Sequence, residues 1–172
     1  AGGSGGSELM AGHGAPEQST VDATGLSVGI VATRWHAELV EQMLTRAQDA
    51  AKACSVASVT VARVAGSVEL PVVAQALAKE HDAVVALGVV IRGETAHFEY
   101  VSQSVTDGLT RVALDESTPV AHGVLTVDTE AQARDRAGLP DSNEDKGWDA
   151  VVAALDAAIT LRHLAAREVR GS

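Results

Sequence analysis

Four aromatic residues in 172 leave this chain almost without stacking surfaces: two Trp, one Tyr and one Phe, 2% of the sequence. Proteins that grip bases by stacking need more. Positive charge is also scarce. Thirteen Lys and Arg face 23 Asp and Glu, a formal charge of −10, with a pI near 4.9. Attachment to nucleic-acid phosphates rests on a basic footprint, so no nucleic-acid partner is expected. The single cysteine, Cys54, cannot close an internal disulfide, which suits a reducing compartment and a cytoplasmic protein. The longest apolar stretch, Ala83 to Ile91, falls well below the roughly 20 residues that span a bilayer, so no membrane helix is expected. Neither a Walker loop nor a dinucleotide GxGxxG motif occurs. Six histidines show no close His/Cys/Asp ligand spacing, so no metal is expected either.

The first nine residues, Ala1-Gly-Gly-Ser-Gly-Gly-Ser-Glu-Leu9, read as a flexible Gly/Ser linker followed by a cloning scar, with Met10 as the natural start. The polar, Gly-rich stretch that follows has no hydrophobic period and no apolar core of a secretory signal. Residues 1–25 are therefore expected to be a flexible N-terminal arm, with one domain over 26–172.

From Leu26 the pattern changes. Leu26–Thr33, Ser58–Val64, Ala83–Ile91 and Pro119–Leu125 read as strands, the third apolar on both faces as in a central parallel strand. Leu39, Val40, Met43, Leu44, Ala47 and Ala51 recur at helical spacing and predict a helix over 36–53. Pro71 suits the first turn of a second helix buried through Val72, Val73, Ala76 and Leu77. A third helix is predicted over 98–114, with Val101, Val105, Leu109 and Val112 in register. A short helix follows over 129–137, ending at Gly138, and then a longer one that runs to about Arg167 with Trp148, Val151, Val152, Leu155 and Ile159 on its apolar face. Alternation of strand and helix implies right-handed crossovers. The expected fold is α/β: a three-layer α/β/α sandwich with a four-stranded parallel sheet, flavodoxin-like.

Ligands of such sheets bind beyond the carboxyl ends of the strands. The segment after the third strand, Ile91-Arg-Gly-Glu-Thr-Ala-His97, is the most informative. Backbone N–H groups of Glu94 and Thr95 and the Thr95 hydroxyl could hold an anion near a helix start, with His97 two residues on to move protons. On spacing alone, a capped helix with an incidental surface histidine stands beside that reading.

The run Gly88-Val-Val-Ile-Arg-Gly-Glu-Thr-Ala-His-Phe-Glu-Tyr100 resembles the signature of the lumazine synthase family, in its actinobacterial form. Gly66-Ser-Val-Glu-Leu-Pro-Val72, Gly123-Val-Leu-Thr126 and Asp135-Arg-Ala-Gly138 with Asp145-Lys-Gly147 agree in order and spacing, so the resemblance spans about residues 26–165. It implies the penultimate step of riboflavin biosynthesis: condensation of 5-amino-6-(D-ribitylamino)uracil with 3,4-dihydroxy-2-butanone 4-phosphate to 6,7-dimethyl-8-ribityllumazine. The step passes through an imine (Schiff base) with release of phosphate and water, and uses no cofactor. Holding two reactants in a productive geometry can supply roughly 7–11 kcal/mol in the best cases, so positioning and proton transfer suffice.

The resemblance also assigns residues. His97 matches the proton-transferring histidine, since an imidazole both donates and accepts near neutral pH. Glu94 and Thr95 match the pair that binds the butanone phosphate, the glutamate through its backbone N–H. Arg136 matches a phosphate-binding arginine and Lys146 a lysine near the phosphate; on their own these would be a dipole-compensating and a solvated charge. Trp35 matches an aromatic that stacks on the pyrimidine. Ser67, Val68 and Glu69 match the segment along the uracil and ribityl groups, Glu69 accepting hydroxyls; otherwise it is a helix N-terminal acid. Val89, Val90 and Ile91 match a strand end that reads the pyrimidine partly through its backbone. His122 departs from the usual Phe or Asn at a position that reaches the pyrimidine from a neighbouring subunit. His36, His81, His13 and His163 are expected as surface residues and Cys54 as a small buried hydrophobe.

A site shared between neighbours implies a homo-oligomer in which His97 and Arg136 converge between adjoining protomers. Family members form pentamers, some assembled into 60-subunit shells. The long Leu139–Asp145 segment and the arm disfavour shell contacts here, so a pentamer is expected, with hand-over of product to riboflavin synthase as a further implied contact. The alternatives are a self-assembling fusion or display scaffold, suggested by the Gly/Ser linker, and a flavin-binding protein without turnover.

Overall fold

The computed structural model describes residues 18–171. Strands β1 (Ser27–Thr33), β2 (Ser58–Val64), β3 (Ala83–Ile91) and β4 (Val120–Val127) form one sheet in the order β2-β1-β3-β4. Every pairing is parallel. Helices α1 (Ala37–Ala53), α2 (Leu70–Ala78), α3 (Phe98–Glu116), α4 (Glu130–Arg136) and α5 (Lys146–Gly171) cover both faces. On one face, α1, α4 and α5 bury Met43, Leu44, Ala133, Val151 and Leu155 against Val28, Ile30, Val85 and Leu87. On the other, α2 and α3 bury Leu70, Leu77, Val105 and Leu109 against Val31, Val84 and Val90. All nine residues of β3 are buried, because helices close both of its sides. The chain leaves β1 in one direction towards β2 and returns to its other side with β3. The C-terminal ends of β1 and β3 therefore flank a crevice where the strand order switches.

Several boundaries and one face differ from the sequence expectation. β4 continues through Thr126 and Val127, because β3 runs on to Ile91 and offers both a partner. α5 extends to Gly171, beyond Arg167. The buried stripe of α2 is Leu70, Ala74, Leu77 and Ala78, whereas Val72 is 68% exposed. Its segment Leu70–Ala78 is apolar nearly all round, so periodicity could not orient it. Residues 18–25, expected in the arm, pack along the body in irregular conformation. Ala23 is buried and donates its N–H to the Cys54 carbonyl at 2.8 Å. The Trp148 indole N–H donates to the Ser19 carbonyl at 2.8 Å, and Gln18 reaches Asp145 at 2.9 Å. A short irregular segment carries no period to betray it. The rest of that arm, residues 1–17, lies outside the described residues.

Candidate active site

Two clefts open at the carboxyl edge of the sheet, on either side of the segment from Arg92 to Phe98. The first, about 300 Å³, lies at the switch between β1 and β3. Its walls are Trp35 and His36 after β1, Gly66–Val68 after β2, Val89–Ile91 of β3, then Glu94, Thr95 and Val101. Trp35 is 69% exposed, so its indole presents an open stacking face rather than a core contact. Ser67 is buried against Gly88 of β3, where an added Cβ would lie 3.1 Å from its hydroxyl. That close approach lets the β2–α2 turn form a wall beside the strand.

Glu94 ends a short 3-10 turn, Arg92–Glu94, that follows β3 directly. Thr95 is extended, with φ −141° and ψ 135°, and its hydroxyl accepts the His97 N–H at 3.1 Å. This local bond sets the chain up for α3, which starts at Phe98 with His97 in the capping position. The Glu94 carboxylate meets His36 Nε2 at 2.8 Å.

The second cleft, about 620 Å³, lies between β4, α4 and the start of α5. Arg136 and Lys146 enter it together with Ser102, Asp128, Gln132, Glu144 and Asp149. Arg136 closes α4, whose N-terminus is fixed by a capping box: Thr129 Oγ1 accepts from the Gln132 N–H at 3.2 Å, and Gln132 Oε1 accepts from the Thr129 N–H. The Arg136 side chain donates to the Gln132 carbonyl at 2.9 Å and pairs with Glu144 at 3.1 Å. Lys146 is half-buried at the first position of α5. Burial, reinforced by repulsion from Asp145 and Glu144, pushes the Asp149 carboxyl above its ordinary range, with Lys146 opposing. The hydroxyl of Ser102 is buried without a hydrogen-bond partner. Three cations, Arg92, Arg136 and Lys146, and the unsatisfied Ser102 hydroxyl face three carboxylates here, Asp128, Glu144 and Asp149, so an anion entering this cleft competes with a carboxylate for its cation.

Eight expected site residues thus meet in the first cleft: Trp35, Ser67, Val68, Val89, Val90, Ile91, Glu94 and Thr95. Arg136 and Lys146, expected beside Glu94 and Thr95, line the second. Within one chain the butanone-phosphate set is divided, because the ridge carrying Arg92 and Phe98 stands between its halves. Arg92 stacks on Phe98 at 4.4 Å and is pinned by Glu99 and Asp128. Glu69 stands beside the first cleft, with its Oε2 accepting the Gly66 N–H at 3.1 Å, a local cap. His97 is exposed near Tyr100, ring centroids 6.2 Å apart, and lines neither cleft. His122 also lies apart, half-buried on β4 with Nε2 3.2 Å from Thr106 Oγ1. Burial lowers its pKa below the ordinary histidine value, and the charge of Lys146 adds to the effect.

Three residues without a role in the sequence reading matter to this geometry. His36, expected as an ordinary surface residue, lines the first cleft; its place directly after Trp35 at a strand end was the available signal. Arg92 builds the ridge. Asp145 is buried between Arg46 and Gln18 and holds the turn before α5, which no local pattern announces because its partners lie 99 and 127 positions away.

The 6,7-dimethyl-8-ribityllumazine synthase family model matches residues 25–162. A relative so named from Salinispora arenicola is 70% identical over 91% of this chain and 94% of its own length. One from Thermobifida fusca is 67% identical over 94% of each chain, and one from Mycobacterium avium 60% identical over 90% of this chain and 96% of its own. With these matches spanning every strand and both clefts, the chain belongs to the 6,7-dimethyl-8-ribityllumazine synthase family.

Proposed function

We propose that the chain condenses 5-amino-6-(D-ribitylamino)uracil with 3,4-dihydroxy-2-butanone 4-phosphate to form 6,7-dimethyl-8-ribityllumazine. The observation that carries this reading is the first cleft, which joins an exposed indole, three strand-end segments and the Glu94–Thr95 turn at the switch point of the sheet. The pyrimidine stacks on Trp35 and lies along Ser67–Glu69 and the Val89–Ile91 backbone. The butanone phosphate is received by the N–H groups of Glu94 and Thr95. The 5-amine of the pyrimidine attacks the ketone and water leaves to give an imine; phosphate is eliminated; the ribityl-bearing nitrogen then attacks the remaining carbonyl, and a second water leaves as the ring closes. His97 moves protons in these steps, and the gain comes from holding both substrates in register.

The site is completed between protomers. Arg136, Lys146 and His122 of one chain serve the Trp35 cleft of a neighbour in a homopentamer, which supplies the cations the first cleft lacks. Support comes from the division of the phosphate set between two clefts, and from large apolar side chains left in solvent on the turn and helix starts nearby: Val68, Val72 and Tyr100. The setting is cytoplasmic, and product passes on to riboflavin synthase.

Mixing the two substrates with the protein and following lumazine fluorescence tests the reaction. Appearance of product with equimolar phosphate supports it; no product at high protein concentration refutes it and leaves the fold as an assembly scaffold. Light scattering tests the assembly, since five chains of 17.6 kDa give about 88 kDa.

A further inference from the structure

His36 adopts φ 51° and ψ 51°, the left-handed conformation that side chains other than glycine rarely take. The strain has a visible consequence. The turn from β1 into α1 brings the imidazole to the wall of the first cleft, where its side chain is only 20% exposed and Nε2 stands 2.8 Å from Glu94 Oε2. That contact ties the end of β1 to the turn after β3. Arg92, the cation nearest in sequence to Glu94, is committed to Asp128 at 2.8 Å and Glu99 at 2.7 Å.

We propose that His36 is a positioning residue for the anionic substrate: by holding the Glu94 carboxylate against the β1–α1 turn, it keeps a negative charge out of the space where the backbone N–H groups of Glu94 and Thr95 receive a phosphate. The inference rests on the assignment of that turn to the butanone phosphate. A carboxylate released next to a phosphate dianion repels it, since the two charges stand well within the screening length. Backbone strain at His36 is thereby coupled to substrate binding rather than to helix initiation alone.

The test uses inorganic phosphate as the probe, titrated calorimetrically into the wild type, His36→Ala, His36→Asn and His36→Asn/Glu94→Gln, with KM for each substrate measured in parallel. Asparagine tolerates the left-handed turn, but its amide ends one bond short of the imidazole Nε2, so the contact is lost while the backbone is kept. In His36→Asn the phosphate Kd and the KM for the butanone phosphate are expected to rise about tenfold, the scale of repulsion between a freed carboxylate and a nearby dianion. The KM for the pyrimidine and kcat should stay within about threefold. The double variant, with a neutral carboxamide at position 94, should return to within about threefold of the wild type. Unchanged phosphate affinity in both single variants, or a rise that Glu94→Gln leaves in place, overturns the proposal, as does a wild type with no measurable phosphate affinity. A wild type that binds phosphate but forms no lumazine refutes the enzymatic reading, while the variant series still decides the role of His36.

Discussion

Glu144 holds Arg136 across the second cleft, its carboxylate 3.1 Å from the guanidinium Nε. A phosphate arriving there competes with that carboxylate. Arg136→Ala is expected to lower kcat/KM for the butanone phosphate about 100-fold, the scale of one or two charge-assisted hydrogen bonds. Glu144→Gln should lower the KM for the same substrate, because the competitor loses its charge. Steady-state kinetics at saturating pyrimidine check both. An unaltered KM in the pair would separate the second cleft from phosphate recognition.

His97→Ala should reduce kcat by about 10²- to 10⁴-fold, the usual contribution of a positioned general acid–base. Substrate dissociation constants should change by less than about threefold, since the imidazole is exposed and takes no part in the cleft walls. Single-turnover measurements separate the two quantities. A wild-type kcat would remove His97 from the chemistry.

The depressed pKa of His122 has a consequence for stability against pH. Above the ordinary value of 6.5 the imidazole is neutral in both folded and unfolded chains, and it contributes no pH dependence. Below 6.5 the unfolded chain takes the proton first, so the folded state loses stability until its own lower pKa is passed. His122→Asn should flatten this fall. Denaturant midpoints of both proteins, measured from pH 7.5 downwards, should therefore converge or cross as pH drops below about 6.5. A difference that stays constant over that range would contradict the burial argument.

Gly147 sits where an added Cβ would come within 2.1 Å of the Met43 carbonyl oxygen. The first turn of α5 thus touches the backbone of α1 directly. Gly147→Ala must push the two helices apart, at a cost of about 2–3 kcal/mol for such overpacking. Melting followed by circular dichroism should show Tm lowered by roughly 5–10 °C for a domain of this size. An unchanged Tm would mean that the α1–α5 seam gives way without loss.

Where side-chain pattern and secondary structure share a period, the chain was readable. Strands Ser58–Val64 and Ala83–Ile91 coincide residue for residue with their runs in the sequence, and α1 buries the six residues that its spacing selects. Pattern failed where it was degenerate. The segment Leu70–Ala78 is apolar on nearly every side, so its pattern points Val72 to the core although the residue faces solvent. It failed again where contacts are remote: nothing near Gln18 or Ser19 shows that they bond to Asp145 and Trp148. The left-handed turn at His36 was equally hidden, since it depends on where the following helix must pack.

By itself, the sequence determined the alternation of strands and helices, the parallel sheet and the identity of the residues at its carboxyl edge. Hydrophobic period, turn residues and motif order are local quantities written along the chain. Only the tertiary structure decided that Trp35 and Glu94 share a cleft while Arg136 and Lys146 open into another. That division depends on the strand order β2-β1-β3-β4 and on the ridge at Arg92 and Phe98. Such relations arise from packing between distant segments, and no spacing along the chain encodes their distance in space.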